Sequence, residues 1–484
     1  MISPRQKFHL EPFAGLLNDP VGLVCFNGQY HVYFQWNSLR KDHSYKEWGH
    51  FSSPDLIHWK QNESPLKPGQ EYDRNGVYSG SSLEVDGKIL AWYTGNRKDN
   101  GARTVKQCLA VSNDGFHFDK KGPVLEQPGF TTAHFRDPKV LGKENQLMML
   151  IGAQNLKKQG EILQFDSPDG QKWTFNRIVG LSKAANMIEC PDMVGFKEQN
   201  LLLYCLQNRD MDTDECLDSI SVYQMIPACP KEQVNLDQNF SRLDDGFDSF
   251  AAQTMKDPSG RILLLAWMNR LSARQEEQLA DGSPSIHCLS LPRELNVQNG
   301  KLYQQPAREV RKLFNTTPHP LAEGALPQRA YRLTLKPHQK KIHSFSIQFN
   351  RGECQISWDE NLGLFSLFRK DWASQDWEER SVRLDALEEA EVFMDVSSIE
   401  VFLNGGEKIL SARILPGSCP AWISIQGLEA DAGEIHFFKT DECFLLPEPD
   451  LQDSAVQDPL PCGQPDGPER WSKERCVLTR IETA

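Results

Sequence analysis

Ser53-Pro-Asp-Leu-Ile-His-Trp59, Ser112-Asn-Asp-Gly-Phe-His-Phe118 and Ser167-Pro-Asp-Gly-Gln-Lys-Trp173 are three copies of one element. Each carries Ser-x-Asp, whose short side chains bond the backbone just ahead and so favour a turn, and each ends on an aromatic residue. A second element occurs five times, a hairpin of two apolar strands. Its tips are Asn27-Gly28, Asp86-Gly87, Lys143-Glu144-Asn145, Lys197-Glu198-Gln199-Asn200 and Asp257-Pro-Ser-Gly260. The flanks of the first tip, VGLVCF and YHVYFQ, are rich in β-branched and aromatic residues that suit a pleated surface. Helical spacing of apolar residues is hard to find anywhere in this region. Five units of about 50 to 60 residues, each a hairpin with further strands, predict a five-bladed β-propeller over residues 1–310. An ordinary pair of β-sandwiches with hairpins is the competing arrangement.

Beyond the repeat, residues 311–333 read as a linker. Alternating strands then resume as YRLTLKP, HSFSIQF, CQISWDE, LGLFSLF, EVFMDV, SIEVFLNGG and AWISIQG, which predicts a β-sandwich over 334–444. The chain is therefore expected to be all-β. Residues 445–484 form a tail in which six prolines fall between 447 and 468, too many for a regular strand ladder.

Composition narrows the function. The 484 residues are 25% charged and 39% hydrophobic, enough for a sizeable core. A net charge of −13 argues against a surface that tracks nucleic-acid phosphates. No apolar run is long enough for a membrane helix, and MISPRQKFHLEPFAG lacks the apolar stretch of a secretion signal. Twelve cysteines without C-x-x-C spacing read as reduced thiols, which points to the cytoplasm. Neither H-E-x-x-H nor a Cys/His grouping with zinc spacing occurs, and no glycine-rich phosphate loop of the G-x-x-x-x-G-K type does either. No metal and no cofactor is expected.

Asp19, Asp137 and Glu189 read as equivalent residues of units one, three and four, each just before the first strand of its hairpin. Innermost strands of a propeller line one channel, so these acids would meet there and raise at least one pKa. A glycosidase needs such an arrangement, with one carboxylate ionised and another kept protonated. Each acid by itself could equally be a solvated turn residue.

His9-Leu-Glu-Pro-Phe-Ala-Gly-Leu-Leu-Asn18-Asp19-Pro20 resembles the opening motif of glycoside hydrolase family 32, the invertases and sucrose-6-phosphate hydrolases. Trp48-Gly-His50, Tyr78-Ser79-Gly80-Ser81, Phe135-Arg136-Asp137-Pro138, Glu189-Cys190-Pro191-Asp192 and Leu291-Pro-Arg-Glu-Leu295 follow in the family's order. Val392-Phe-Met-Asp-Val-Ser397-Ser398-Ile-Glu400-Val-Phe402 resembles its sandwich signature. The resemblance implies a retaining β-fructofuranosidase with Asp19 as nucleophile, Glu189 as acid/base and Asp137 as transition-state stabiliser. It further implies a fructose pocket lined by Leu16, Leu17, Asn18, Gln35, Tyr78, Ser79 and Trp267. The charge of Arg136 beside Asp137 would help keep that carboxylate ionised. For Tyr78 and Trp267, packing between blades is the alternative, and for Gln35 a solvent contact at a strand end. Implied substrates are sucrose, sucrose 6-phosphate and short fructo-oligosaccharides.

Two departures stand out. Val21 replaces an amide that would brace the nucleophile loop, and Asp248-Ser249-Phe250-Ala251 has serine where an aromatic usually follows the acid. The second is expected to reshape the leaving-group side of the pocket. A glycosidase acting on arabinofuranosides, and a sugar-binding propeller without catalysis, are the rival readings. Transfer of fructose to a second sugar is a variation on the same mechanism.

Overall fold

The computed structural model describes residues 4–439 except 144–145, 198, 211–215, 229, 231, 318, 321–322, 337–341, 419 and 429–433. The proline-rich tail and parts of the third and fourth hairpin tips lie outside these residues. Strands dominate, in seven sheets. Blade one contains Gly15–Phe26, Gln29–Asn37, Glu47–Ser53 and Lys60–Leu66. Blade two contains Val77–Val85, Lys88–Asp99, Ala102–Ser112 and Asp119–Glu126. Blade three is built from Thr131–Lys143, Gln146–Asn155, Gly160–Ser167 and Thr174–Ser182, and blade four from Met187–Phe196, Gln199–Arg209, Cys216–Pro227 and Ser241–Arg242. Blade five holds Phe250–Lys256, Ile262–Trp267, Arg293–Gln298 and Lys301–Pro306. The first strand of each blade packs on the first strand of the next, and blade five's packs on blade one's. The ring is closed. Ser285–Ile286 staples it by pairing parallel to Gly15–Leu16 in blade one.

The repeats explain this regularity. At the first two tips Asn27, Gly28, Asp86 and Gly87 all have positive φ, the geometry that a two-residue hairpin turn needs. In the Ser-x-Asp turns one aspartate oxygen accepts two backbone N–H groups, Phe116 and His117 at Asp114, Gln171 and Lys172 at Asp169. Each turn joins the third and fourth strands of its blade.

One helix, α1 (Ala273–Ala280), interrupts blade five. Ser272 and Gln275 cap it reciprocally, and this S-x-x-Q spacing is the sequence signal for it. No helix among the described residues is long and apolar enough to cross a membrane.

Two six-stranded sheets follow the propeller. They enclose an apolar core that includes Leu333, Ile347, Ile356, Phe365, Val392 and Val401. Trp377–Arg383, Lys408–Arg413 and Glu434–Lys439 are strands that the alternation missed. Trp377–Arg383 is an edge strand with most of its residues exposed, so it carries little apolar pattern. Within 311–333, a 3-10 turn occupies Val310–Leu313, Gly324–Ala325 pairs with a sandwich strand, and the strand Tyr331–Lys336 begins.

Candidate active site

All five inner strands carry a bulge at the same level. Between Leu17 and Pro20, Val77 and Gly80, Arg136 and Lys139, Glu189 and Asp192, and Phe250 and Gln253, the inner strand runs one residue longer than its partner. Such a bulge re-aims side chains, and here it does so five times around one channel. Asp137, Cys190 and Ala251, the first bulged residues of blades three to five, have φ of 63°, 46° and 50°. The three acids thus lie inside the inner strands, not ahead of them. They are also not at one register position. Glu189 opens its bulge, Asp137 is the first extra residue of its own, and Asp19 is the second. The bulges turn staggered positions toward a common point, which a repeat-by-repeat alignment of sequence does not reveal.

Convergence is visible in the contacts. Cys190 places its sulfur 3.6 Å from Asp137 Oδ2 and 3.9 Å from Asp19 Oδ2, and its backbone N–H donates to Asp137 Oδ2 at 3.0 Å. Ser79 Oγ donates to Asp19 Oδ2 at 2.6 Å, and Asn18 Nδ2 to Asp19 Oδ1 at 3.2 Å. Arg136 Nε donates to Glu189 Oε1 at 3.0 Å, while Arg136 Nη1 meets His134 Nδ1 at 2.9 Å. Burial pushes the Asp137 carboxyl up to about 7, helped by the charges of Glu189 and Asp19 and opposed by Arg136. The charge of Arg136, whose Nε is 3.9 Å from Asp137, draws that carboxyl toward its ionised form as expected, but by less than burial pushes it the other way. Gly152 matters beside this pair. A Cβ there would lie 2.1 Å from the Ile188 carbonyl oxygen, so glycine lets blade three pass the residue preceding Glu189.

The remaining expected pocket residues divide. Asn18, Ser79 and Arg136 join the carboxylates as described, and Tyr78 is half-buried with its carbonyl accepting from Trp48 Nε1. Leu16 and Leu17 have no accessible surface. Both side chains are taken up in apolar clusters. Gln35 is buried and donates to the Val77 carbonyl at 3.0 Å, which ties blade one to blade two. Trp267 is 4% exposed against Phe250, His43 and His287, and its indole N–H has no acceptor among the described residues.

Three further residues support the site. Lys46 Nζ donates to Asn18 Oδ1 at 2.6 Å and so braces the bulge of Asn18 and Asp19, whereas Val21 packs in the cluster between blades one and two. Lys46 stands in a loop without motif character, so no sequence signal marks it. Cys190 was visible beside Glu189 in its motif. Asp192, from the same motif, accepts from Lys139 Nζ at 2.8 Å and Thr254 N at 2.7 Å, tying blades three, four and five. Asp248 accepts from Arg270 N and Arg413 N and pairs with Arg369 at the sandwich, so its segment packs between domains.

Residues 9–306 match the glycosyl hydrolases family 32 N-terminal domain and residues 310–443 the family 32 C-terminal domain. The chain belongs to glycoside hydrolase family 32. Sucrose-6-phosphate hydrolase of Bacillus subtilis (strain 168) is 36% identical over 430 residues, covering 85% of this chain and 89% of that protein. Raffinose invertase of Escherichia coli is 33% identical, covering 88% and 92%. The structure of sucrose-6-phosphate hydrolase from Lactobacillus gasseri superposes with a TM-score of 0.80 at 26% identity, covering 92% of this chain and 94% of that one. A mutant β-fructofuranosidase of Bombyx mori, solved in complex with sucrose, gives 0.77 at 25%, covering 92% and 95%. Family 32 membership makes this chain a β-fructofuranosidase with a propeller and a β-sandwich.

Proposed function

We propose that this chain hydrolyses the β-fructofuranosyl bond of sucrose 6-phosphate, and of sucrose more slowly, with retained configuration at the fructose anomeric carbon. The observation that carries the reading is the meeting of Asp19, Asp137 and Glu189 from three blades at one bulge level. Asp19, aimed by Ser79 and Asn18, attacks the anomeric carbon. Glu189 protonates the departing glycosidic oxygen. Arg136 occupies Oε1, so Oε2 is the oxygen that carries the proton. Water, deprotonated by the same Glu189, then releases fructose from Asp19. Asp137 accepts from fructose hydroxyls, and their donation favours its ionised form as the oxocarbenium-like charge develops. The propeller of residues 1–310 holds this machinery, the stretch after it leads into the sandwich, whose strand Tyr331–Lys336 begins before 334, and the enzyme works in the cytoplasm.

A phosphorylated substrate is supported by the relatives named above. Its test is kcat/KM for sucrose and for sucrose 6-phosphate on the same purified protein. The expected preference for the phosphate is at least tenfold, about 1.4 kcal/mol of transition-state binding. Equal values, or a preference for sucrose, overturn it.

A further inference from the structure

His43, Glu276 and His287 come from three separate stretches: the loop after Asn37, helix α1, and the segment leading to blade five's third strand. Their ligand atoms all lie within 4.8 Å of one another. His287 Nε2 is 3.0 Å and His43 Nε2 3.7 Å from Glu276 Oε1. Ligands about 2 Å from a tetrahedral ion stand about 3.3 Å apart, so these edges bracket the required spacing. The hydrogen-bond ledger points the same way. His287 is wholly buried, yet neither ring nitrogen makes a well-aligned hydrogen bond among the described residues, and His43 Nε2 is also without one. A buried imidazole left unsatisfied costs free energy, which an ion between the two rings would recover. Asn269 Nδ2 donates to Glu276 Oε1 at 2.8 Å and orients the carboxylate from outside. The side chains of His43 and Glu276 are 16% and 15% exposed, which leaves an entry path and room for a water as fourth ligand.

We propose that His43, Glu276 and His287 bind a divalent transition-metal ion, with zinc best suited to two imidazoles and a carboxylate. No spacing rule finds this set, because its members stand at 43, 276 and 287. The site lies against the Trp267 ring, which touches both histidines. Lys46 Nζ lies 3.1 Å from His43 Nδ1 and donates to Asn18 Oδ1 at 2.6 Å; an ion on His43 Nε2 leaves the ring proton on Nδ1, so it would release Lys46 from His43 while pinning the blade-one loop to α1.

The test uses the full chain, stripped with a chelator and titrated with Zn²⁺ by calorimetry, together with anomalous diffraction from a Zn²⁺-soaked crystal. One equivalent should bind, with an anomalous peak among the three side chains and a raised Tm. His43→Ala and Glu276→Gln should each weaken binding at least tenfold and abolish the Tm shift. Should Glu276→Gln fail to fold, His43→Ala in the surface loop carries the comparison. No binding, a peak on cysteine sulfur, or affinity within twofold of the unaltered chain in His43→Ala overturns the proposal.

Discussion

The channel and the seam between propeller and sandwich both bury several acids; burial raises Asp137 in the channel and Asp244 at the seam, whereas Glu400 at the seam moves the opposite way. At the seam, fully buried Arg293 donates to Glu400 Oε2 at 2.6 Å and Asp244 Oδ2 at 2.9 Å. His9 bridges Asp395 and Glu400 at 2.9 Å each. Burial pushes Glu400 up, but the charge of Arg293 and the His9 hydrogen bond outweigh it and hold Glu400 at about 2. In the channel, Asp137 and Glu189 share Arg136, and Asp137 rises to about 7. With Arg293 and His9 both on Glu400, burial leaves that group ionised, whereas Arg136 lowers Asp137 without offsetting its burial. The second condition suits the proposed catalysis and the first suits folding.

The contrast breaks most sharply at Asp19. Asp19→Asn should lower kcat by roughly four to six orders of magnitude while leaving Tm nearly unchanged, measured by sucrose hydrolysis and thermal melting. Loss of fold together with activity would erase the distinction between the two regions. Arg293→Met should do the reverse. It strands Glu400 and Asp244 without their cation, costing about 3–5 kcal/mol in denaturant unfolding, while the folded fraction keeps near-normal kcat.

Asp137→Asn sharpens the comparison with a smaller effect. A carboxyl raised from 3.8 to about 7 on folding destabilises the folded state as pH climbs through that window, since the unfolded chain gives up its proton first. The asparagine variant should therefore melt higher than the parent at pH 8, by roughly 2 °C or more. The difference should vanish near pH 4. A variant that melts lower at pH 8 would mean Asp137 is stabilised as a carboxylate in the empty channel.

Much of this was legible in the chain. The Ser-x-Asp turns and hairpin tips predicted the blades because each turn is set by local side-chain and backbone geometry. The motifs around Asp19, Asp137 and Glu189 marked the site. Their shared bulge was not legible, since it depends on register with a neighbouring strand and no residue announces it. Three residues of the family-like motifs serve the seam instead: His9 and Arg293 both bond Glu400. Lys46 and the His43 cluster were invisible because their partners are remote in sequence.

The central claim is that Asp19 forms the covalent bond to fructose while Glu189 only handles protons. Glu189→Gln, given β-fructofuranosyl fluoride, needs no acid for the first step and lacks the base for the second, so the fructosyl-enzyme should accumulate. Peptide mass spectrometry of the quenched reaction should find a fructosyl adduct on the peptide bearing Asp19. An adduct on Asp137, or rapid fluoride release with no adduct on any carboxylate, would contradict the account.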